Sequence, residues 1–169
     1  AACSSALAQA ETTTEAFARE VQRVLPEEKL YDYHKRLSEG PVHTARRDAE
    51  ARKQPGELEL PERGWKLVWR RQGSPLLQHA VRDFQDYLER SMQVRVELDG
   101  RDSLGDWRRL ERSIVVGTRA QLPGCGTTLK ASKDYEIVAT PERLVVCGYD
   151  ERGAMYGLYN LEARMNLRE

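Results

Sequence analysis

The strongest constraint on this chain lies between Ser74 and Met92. Leu77, Ala80, Val81, Phe84, Tyr87 and Leu88 recur at i, i+3, i+4, i+7, i+10 and i+11, the spacing of a single helix face. A stripe of that length has to be buried against another element. The flanking segments supply one. Lys66-Leu67-Val68-Trp69-Arg70 precedes it as a strand candidate, and Gln93-Val94-Arg95-Val96-Glu97-Leu98 follows it, alternating polar and apolar as a half-buried strand does. Gly73-Ser74-Pro75 joins the first strand to the helix, with Ser74 as N-cap and Pro75 at the first helical position.

The same logic extends to the C-terminal part. Ser113-Ile114-Val115-Val116-Gly117 is a short apolar strand, and residues 119–132 read as a loop around Pro123-Gly124-Cys125-Gly126. Tyr135 to Ala139 and Arg143 to Cys147 flank Thr140-Pro141-Glu142 as a hairpin. Asp150 is a natural N-cap for a last helix with Ala154, Leu158, Leu161 and Met165 on its buried side. Gly153 and Gly157 also lie on that helix, where each costs about 1 kcal/mol against alanine. Two of them four apart predict a face where backbone approaches a neighbour closely, either the sheet below or another domain. The order β-α-β-β-β-β-α predicts an α+β two-layer sandwich, a mixed β-sheet with two helices on one face. No internal repeat is visible.

Residues 64–169 carry this pattern, and residues 11–63 read as a helical segment and polar linker. Thr13 or Thr14 caps a helix with Phe17, Val21 and Val24 on one side. Pro26 opens a second, with Leu30, Tyr33 and Leu37, which Gly40-Pro41 ends. Residues 44–57 have almost no apolar side chains and predict a solvated helix or a flexible tether. Residues 1–10 read as the remnant of an export signal. Ala8-Gln9-Ala10 suits the end of a secretory signal peptide, and Ala1-Ala2-Cys3-Ser4 suits a bacterial lipoprotein site with Cys3 lipidated. Either reading places the protein outside the cytoplasm: periplasmic, extracellular or lipid-anchored at the cell surface. The stretch from Leu161 to Glu169 stops inside a helical pattern, so the chain is expected to be the N-terminal part of a longer protein.

Composition narrows the function. Lys and Arg total 27, as do Asp and Glu, and this zero net charge disfavours a general nucleic-acid binder. Charged residues make up 32% and the mean hydropathy is −0.70. No run of about 18 apolar residues exists, so no membrane span is expected. Motifs for a serine nucleophile elbow, a zinc protease, a P-loop and a dinucleotide fold are absent. His34, His43 and His79 share no ligand spacing, and no Cys/His cluster has zinc spacing. Asp83 with Asp86, and Asp99 with Asp102, read as solvated carboxylates rather than a glycosidase pair, which only geometry can identify. No catalytic residue, cofactor or metal site is therefore expected here. Trp69 reads as sheet core, while Trp107, in a polar loop beside Asp106, Arg108 and Arg109, either contacts a ligand or another domain or folds onto the domain edge. Cys125 and Cys147 suit either a disulfide in an exported protein or buried free thiols.

The hairpin and last helix add a resemblance. Gly148, Asp150, Arg152, Gly153, Ala154, Tyr156 and Gly157 match a pattern G-x-D/S-x-R-G-A-x-Y-G-L that follows two strands. With the preceding order of elements, residues 64–169 resemble the non-catalytic domain that precedes the barrel of several glycoside hydrolases. These are the beta-N-acetylhexosaminidases of family 20 and the alpha-glucuronidases of families 67 and 115. The resemblance implies an accessory domain whose partner is a downstream catalytic (β/α)8 barrel of the same chain. The catalytic carboxylates then belong to that barrel. It implies an interface role for Arg152, Gly153, Tyr156 and Gly157. A module that binds glycan or another protein is the alternative.

Overall fold

A computed structural model describes residues 13–24 and 41–167. The chain divides into two compact units, Ala1–Pro41 and Val42–Glu169. In the first, helix α1 spans Thr13–Val24, and Phe17 is exposed. The expected second helix with Leu30, Tyr33 and Leu37 falls outside the described residues, as does the export-signal stretch.

The second unit is built around five strands: β1 (Trp65–Arg70), β2 (Val96–Arg101), β3 (Ser113–Thr118), β4 (Tyr135–Ala139) and β5 (Arg143–Gly148). Helix α2 (Pro75–Arg90) follows β1, and helix α3 (Glu151–Leu167) follows β5. The sheet order is β2-β1-β3-β5-β4, parallel throughout except for the antiparallel β4–β5 hairpin. This is the expected α+β fold with a mixed sheet.

Strand register explains which residues are core. Leu67 lies opposite Ile114, and Ile114 opposite Leu144; Trp69, Val116, Val146 and Ile137 form a second row. These side chains face the helices and pack with Leu77, Ala80, Val81, Phe84, Tyr87 and Leu88 of α2 and with Ala154, Leu158 and Leu161 of α3. The apolar stripe of α2 is thus buried as its period predicts. Alternate residues point the other way. Val68, Val115, Val145 and Cys147 meet Leu104, Trp107, Leu122 and Cys125, carried by the β2–β3 connection, which includes a 3-10 turn (Trp107–Arg109), and by the loop after β3. Helices cover one face and irregular chain the other. Strand β3 is consequently buried at every position, which is why it reads as a continuous apolar run.

The caps are as the sequence dictates. Ser74 Oγ accepts from Leu77 N–H at 3.4 Å, and Asp150 Oδ1 accepts from Gly153 N–H at 2.8 Å. Strand β2 begins three residues later than the alternation predicts. Gln93 adopts φ 57°, Val94 N–H donates to Leu88 O, and Arg95 N–H donates to Glu62 O. Those donors are committed before pairing with β1 starts at Trp65 and Val96.

Residues 42–63 run as irregular chain within the same unit. Arg46 and Arg47 N–H both donate to Ser91 O at 2.9 Å, and Leu58 and Leu60 pack against the core. Among the described residues no helix is long and apolar enough to cross a membrane.

Candidate functional site

The turn from β5 into α3 holds the residues singled out by the sequence pattern. Here chain direction reverses so tightly that a Cβ has no room. One placed on Gly148 would lie closer than 3.0 Å to Ala154 N and Asp150 O, and one on Gly153 would meet Asp134 O equally closely. A Cβ on Gly157 would sit 2.5 Å from Val146 Cγ1 and 3.3 Å from the Tyr135 ring. Gly153 and Gly157 therefore let α3 lie directly on β4 and β5. Asp150 ties the corner together. Its carboxylate accepts from Ser132 Oγ at 2.6 Å as well as from Gly153 N–H, and these bonds hold its pKa below the ordinary carboxylate value. Asp134 does the same for the preceding loop. It accepts from Lys130 and Ala131 N–H, and its pKa is lowered by those bonds.

The other two candidates on α3 face outward. Arg152 and Tyr156 are exposed, and Tyr159 continues the stripe one turn further on. Burial raises the Tyr159 pKa, and the charges of Asp83 and Glu162 add to the effect. The four residues thus divide between two sides of one helix: Gly153 and Gly157 on the sheet, Arg152 and Tyr156 at the surface.

The N-termini of both helices are already satisfied. Glu151, first residue of α3, accepts from Ser74 N–H at 3.0 Å, placing a carboxylate at the start of α2. Asp150 occupies the corresponding place on α3. The positive ends of the helices are neutralised by the chain's own acids.

Trp107 is 9% exposed, packed on the second face of the sheet. Its Nε1–H donates to Pro123 O at 3.3 Å, and the Arg108 guanidinium lies 4.5 Å from the ring centre. Trp69 is half-buried in the main core, as expected of a strand residue, with its Nε1 buried and unpartnered.

The structure brings together two clusters of chemistry-bearing side chains, of which the sequence suggested only that Cys125 and Cys147 could pair. In the first, His43 is buried, with Nε2 3.1 Å from Asp83 Oδ1 and Nδ1 3.7 Å from Glu162 Oε1. Its ring meets Tyr87 edge-on at 5.5 Å, and Tyr87 Oη–H donates to Asn166 Oδ1. Desolvation raises the Glu162 pKa against the opposing pull of His43. This arrangement pins residue 43 across α2 and α3. No local signal reveals it, because a lone histidine in a polar stretch looks the same whether free or clamped. His79 is exposed, and His34 lies outside the described residues.

In the second cluster, Cys125, Glu136 and Cys147 bring their Sγ, carboxylate oxygen and Sγ within 4.8 Å of one another. Glu136 could have been placed from sequence. Counting back from the hairpin turn pairs Ala139 with Leu144 and hence Glu136 with Cys147 on one face. Cys125 arrives from a loop with no periodicity to read. A cleft of ≈ 340 Å³ also opens between residues 46–60 and the helix ends, with Arg46, Arg52, Glu57 and Glu59 around a floor of Leu88, Met92 and Met165.

Compared with known proteins, the sequence matches no family model and no curated protein. Among solved structures, the chain is similar to a family 138 glycoside hydrolase targeting pectin rhamnogalacturonan II, with 20% identity and a TM-score of 0.43. It is also similar to a family 115 4-O-methyl-alpha-glucuronidase with specificity for decorated arabinogalactans, with 18% identity and a TM-score of 0.43. Each match covers 61% of this chain but only 10% and 14%, respectively, of those much longer chains.

Proposed function

We propose that this chain is a non-catalytic accessory domain of an exported glycoside hydrolase, bracing a downstream (β/α)8 barrel that hydrolyses glycosidic bonds. The observation that carries the reading is the β5–α3 corner. The residues by which the sequence resembles the hydrolase accessory domain are also those the corner requires: Gly148, Gly153 and Gly157 for close approach, and Asp150 for the cap. A motif with a steric reason at each glycine is better support for a shared fold than scattered identities. In this reading Arg152 and Tyr156, exposed on the outer side of α3, contact the barrel, and the hydrolytic carboxylates lie on the barrel. The domain supplies position and no reacting group.

The test compares two polypeptides on a panel of aryl glycosides: this chain, and the product of the gene read beyond residue 169. Hydrolysis by the longer product alone is the expected result. Absence of hydrolysis by both, together with glycan binding by this chain, overturns the reading in favour of a binding module. Hydrolysis by this chain itself overturns its non-catalytic role.

A further inference from the structure

The Cys125–Glu136–Cys147 cluster has no part in the accessory role, and its geometry is specific. Cys147 is fixed on β5 with no exposure, while Cys125 is 7% exposed on a turn flanked by Gly124 (φ 75°) and Gly126 (φ 69°). The two sulfurs lie within 4.8 Å of each other. The absent side chain of Gly126 is what makes room, since a Cβ there would lie 3.0 Å from Cys147 Sγ. Glu136 Oε1 accepts from Gly126 N–H at 2.6 Å and from Cys125 Sγ–H at 3.1 Å, so it anchors the turn from the neighbouring strand.

We propose that Cys125 and Cys147 form a disulfide bond, by exchange with a small-molecule disulfide, that fastens the loop of residues 119–132 to strand β5. Formation moves a turn with two glycines toward the strand, closing the sulfurs from within 4.8 Å to about 2.05 Å. The exchange balances. The Cys125 thiol gives its proton to Glu136, and its sulfur attacks the small disulfide, forming a mixed disulfide and expelling one thiolate. Cys147 sulfur then displaces the second thiolate and forms the Cys125–Cys147 bond. The two protein thiol protons end on the two released thiols, and the small disulfide is reduced by the two electrons the cysteines lose.

A thiophilic cation held by the same three residues is the competing use. It is disfavoured because no fourth His, Cys, Asp or Glu among the described residues joins the three, where a structural zinc site takes four ligands. The inference is independent of the glycoside hydrolase reading, since it rests only on side chains inside one unit.

The experiment uses the full chain with Cys3→Ser, leaving two thiols, incubated with oxidised glutathione. Thiols are then alkylated in denaturant and the protein weighed and mapped. The expected product takes up no alkylating reagent, has lost two hydrogens, and yields a peptide joining Cys125 to Cys147. Its Tm rises by roughly 10 °C over the reduced form. In Cys125→Ala, a change on the turn that leaves the strand intact, the same treatment gives no such rise. Stable glutathione adducts, thiols that stay alkylatable, or thiols protected only until a chelator removes bound zinc would each overturn the proposal.

Discussion

Replacing Gly153 with alanine separates packing from interface in the most informative residue of the β5–α3 corner. In an exposed helix the change gains up to about 1 kcal/mol from helix propensity. Here the new Cβ points at Asp134 O, a main-chain atom that also accepts the Tyr149 N–H at 2.8 Å. The carbonyl has to move or α3 has to lift. Relieving such an overlap costs about 1–3 kcal/mol, and losing the Tyr149 hydrogen bond adds about 0.5–1.5 kcal/mol. After the propensity gain, a net loss of about 2 kcal/mol remains. For a unit of this size that lowers Tm by roughly 7 °C. Gly157→Ala should cost less, because the atom it meets is a Val146 methyl, which can turn away. Gly105→Ala is the control, since its Cβ meets only Ser103 Oγ at 3.6 Å. Urea and thermal unfolding of the four proteins give the ranking. Gly153→Ala matching or exceeding the wild-type stability would refute the steric argument and leave an interdomain role as the reason for the glycine.

Three further outcomes follow from the buried polar groups. His43→Ala removes a hydrogen bond to a carboxylate and an aromatic edge contact, so it should lower stability by about 2 kcal/mol and speed protease cutting within residues 44–60; unchanged cutting would sink the clamp. Asp150→Asn should keep most of the cap at neutral pH but lose acid sensitivity. A depressed folded pKa gives stability that is present above the ordinary carboxylate range and lost as pH falls through the folded value, so wild type and variant converge as pH drops, and parallel curves would contradict this. Glu162→Gln should show the opposite sign. Its raised pKa means wild type loses stability as pH rises through that value, so the variant gains on wild type by less than about 1 kcal/mol between pH 4 and 7. A variant that falls behind wild type over that range would refute the sign.

The fold was legible wherever burial imposes a period. The α2 stripe, the capping residues Ser74 and Asp150, and the unbroken apolar run of β3 each follow from one element meeting one surface. The start of β2 was not, because Leu88 at the end of α2 takes the Val94 donor and Glu62, far along the chain, takes that of Arg95. The same distinction governs the candidate sites. Gly153 and Gly157 announce close approach in sequence, but not what approaches; only the strand register puts Asp134, Tyr135 and Val146 beneath them. Arg152 and Tyr156 share their helix yet turn outward, so one motif serves two surfaces. That division bears directly on the proposed function. A barrel docking on α3 would meet Arg152 and Tyr156, so substituting them should weaken the longer protein while leaving the stability of this chain within about 0.5 kcal/mol. Substituting the glycines should damage both. Measuring each variant in both contexts thus distinguishes a helix that only completes this domain from one that also presents it to a neighbour.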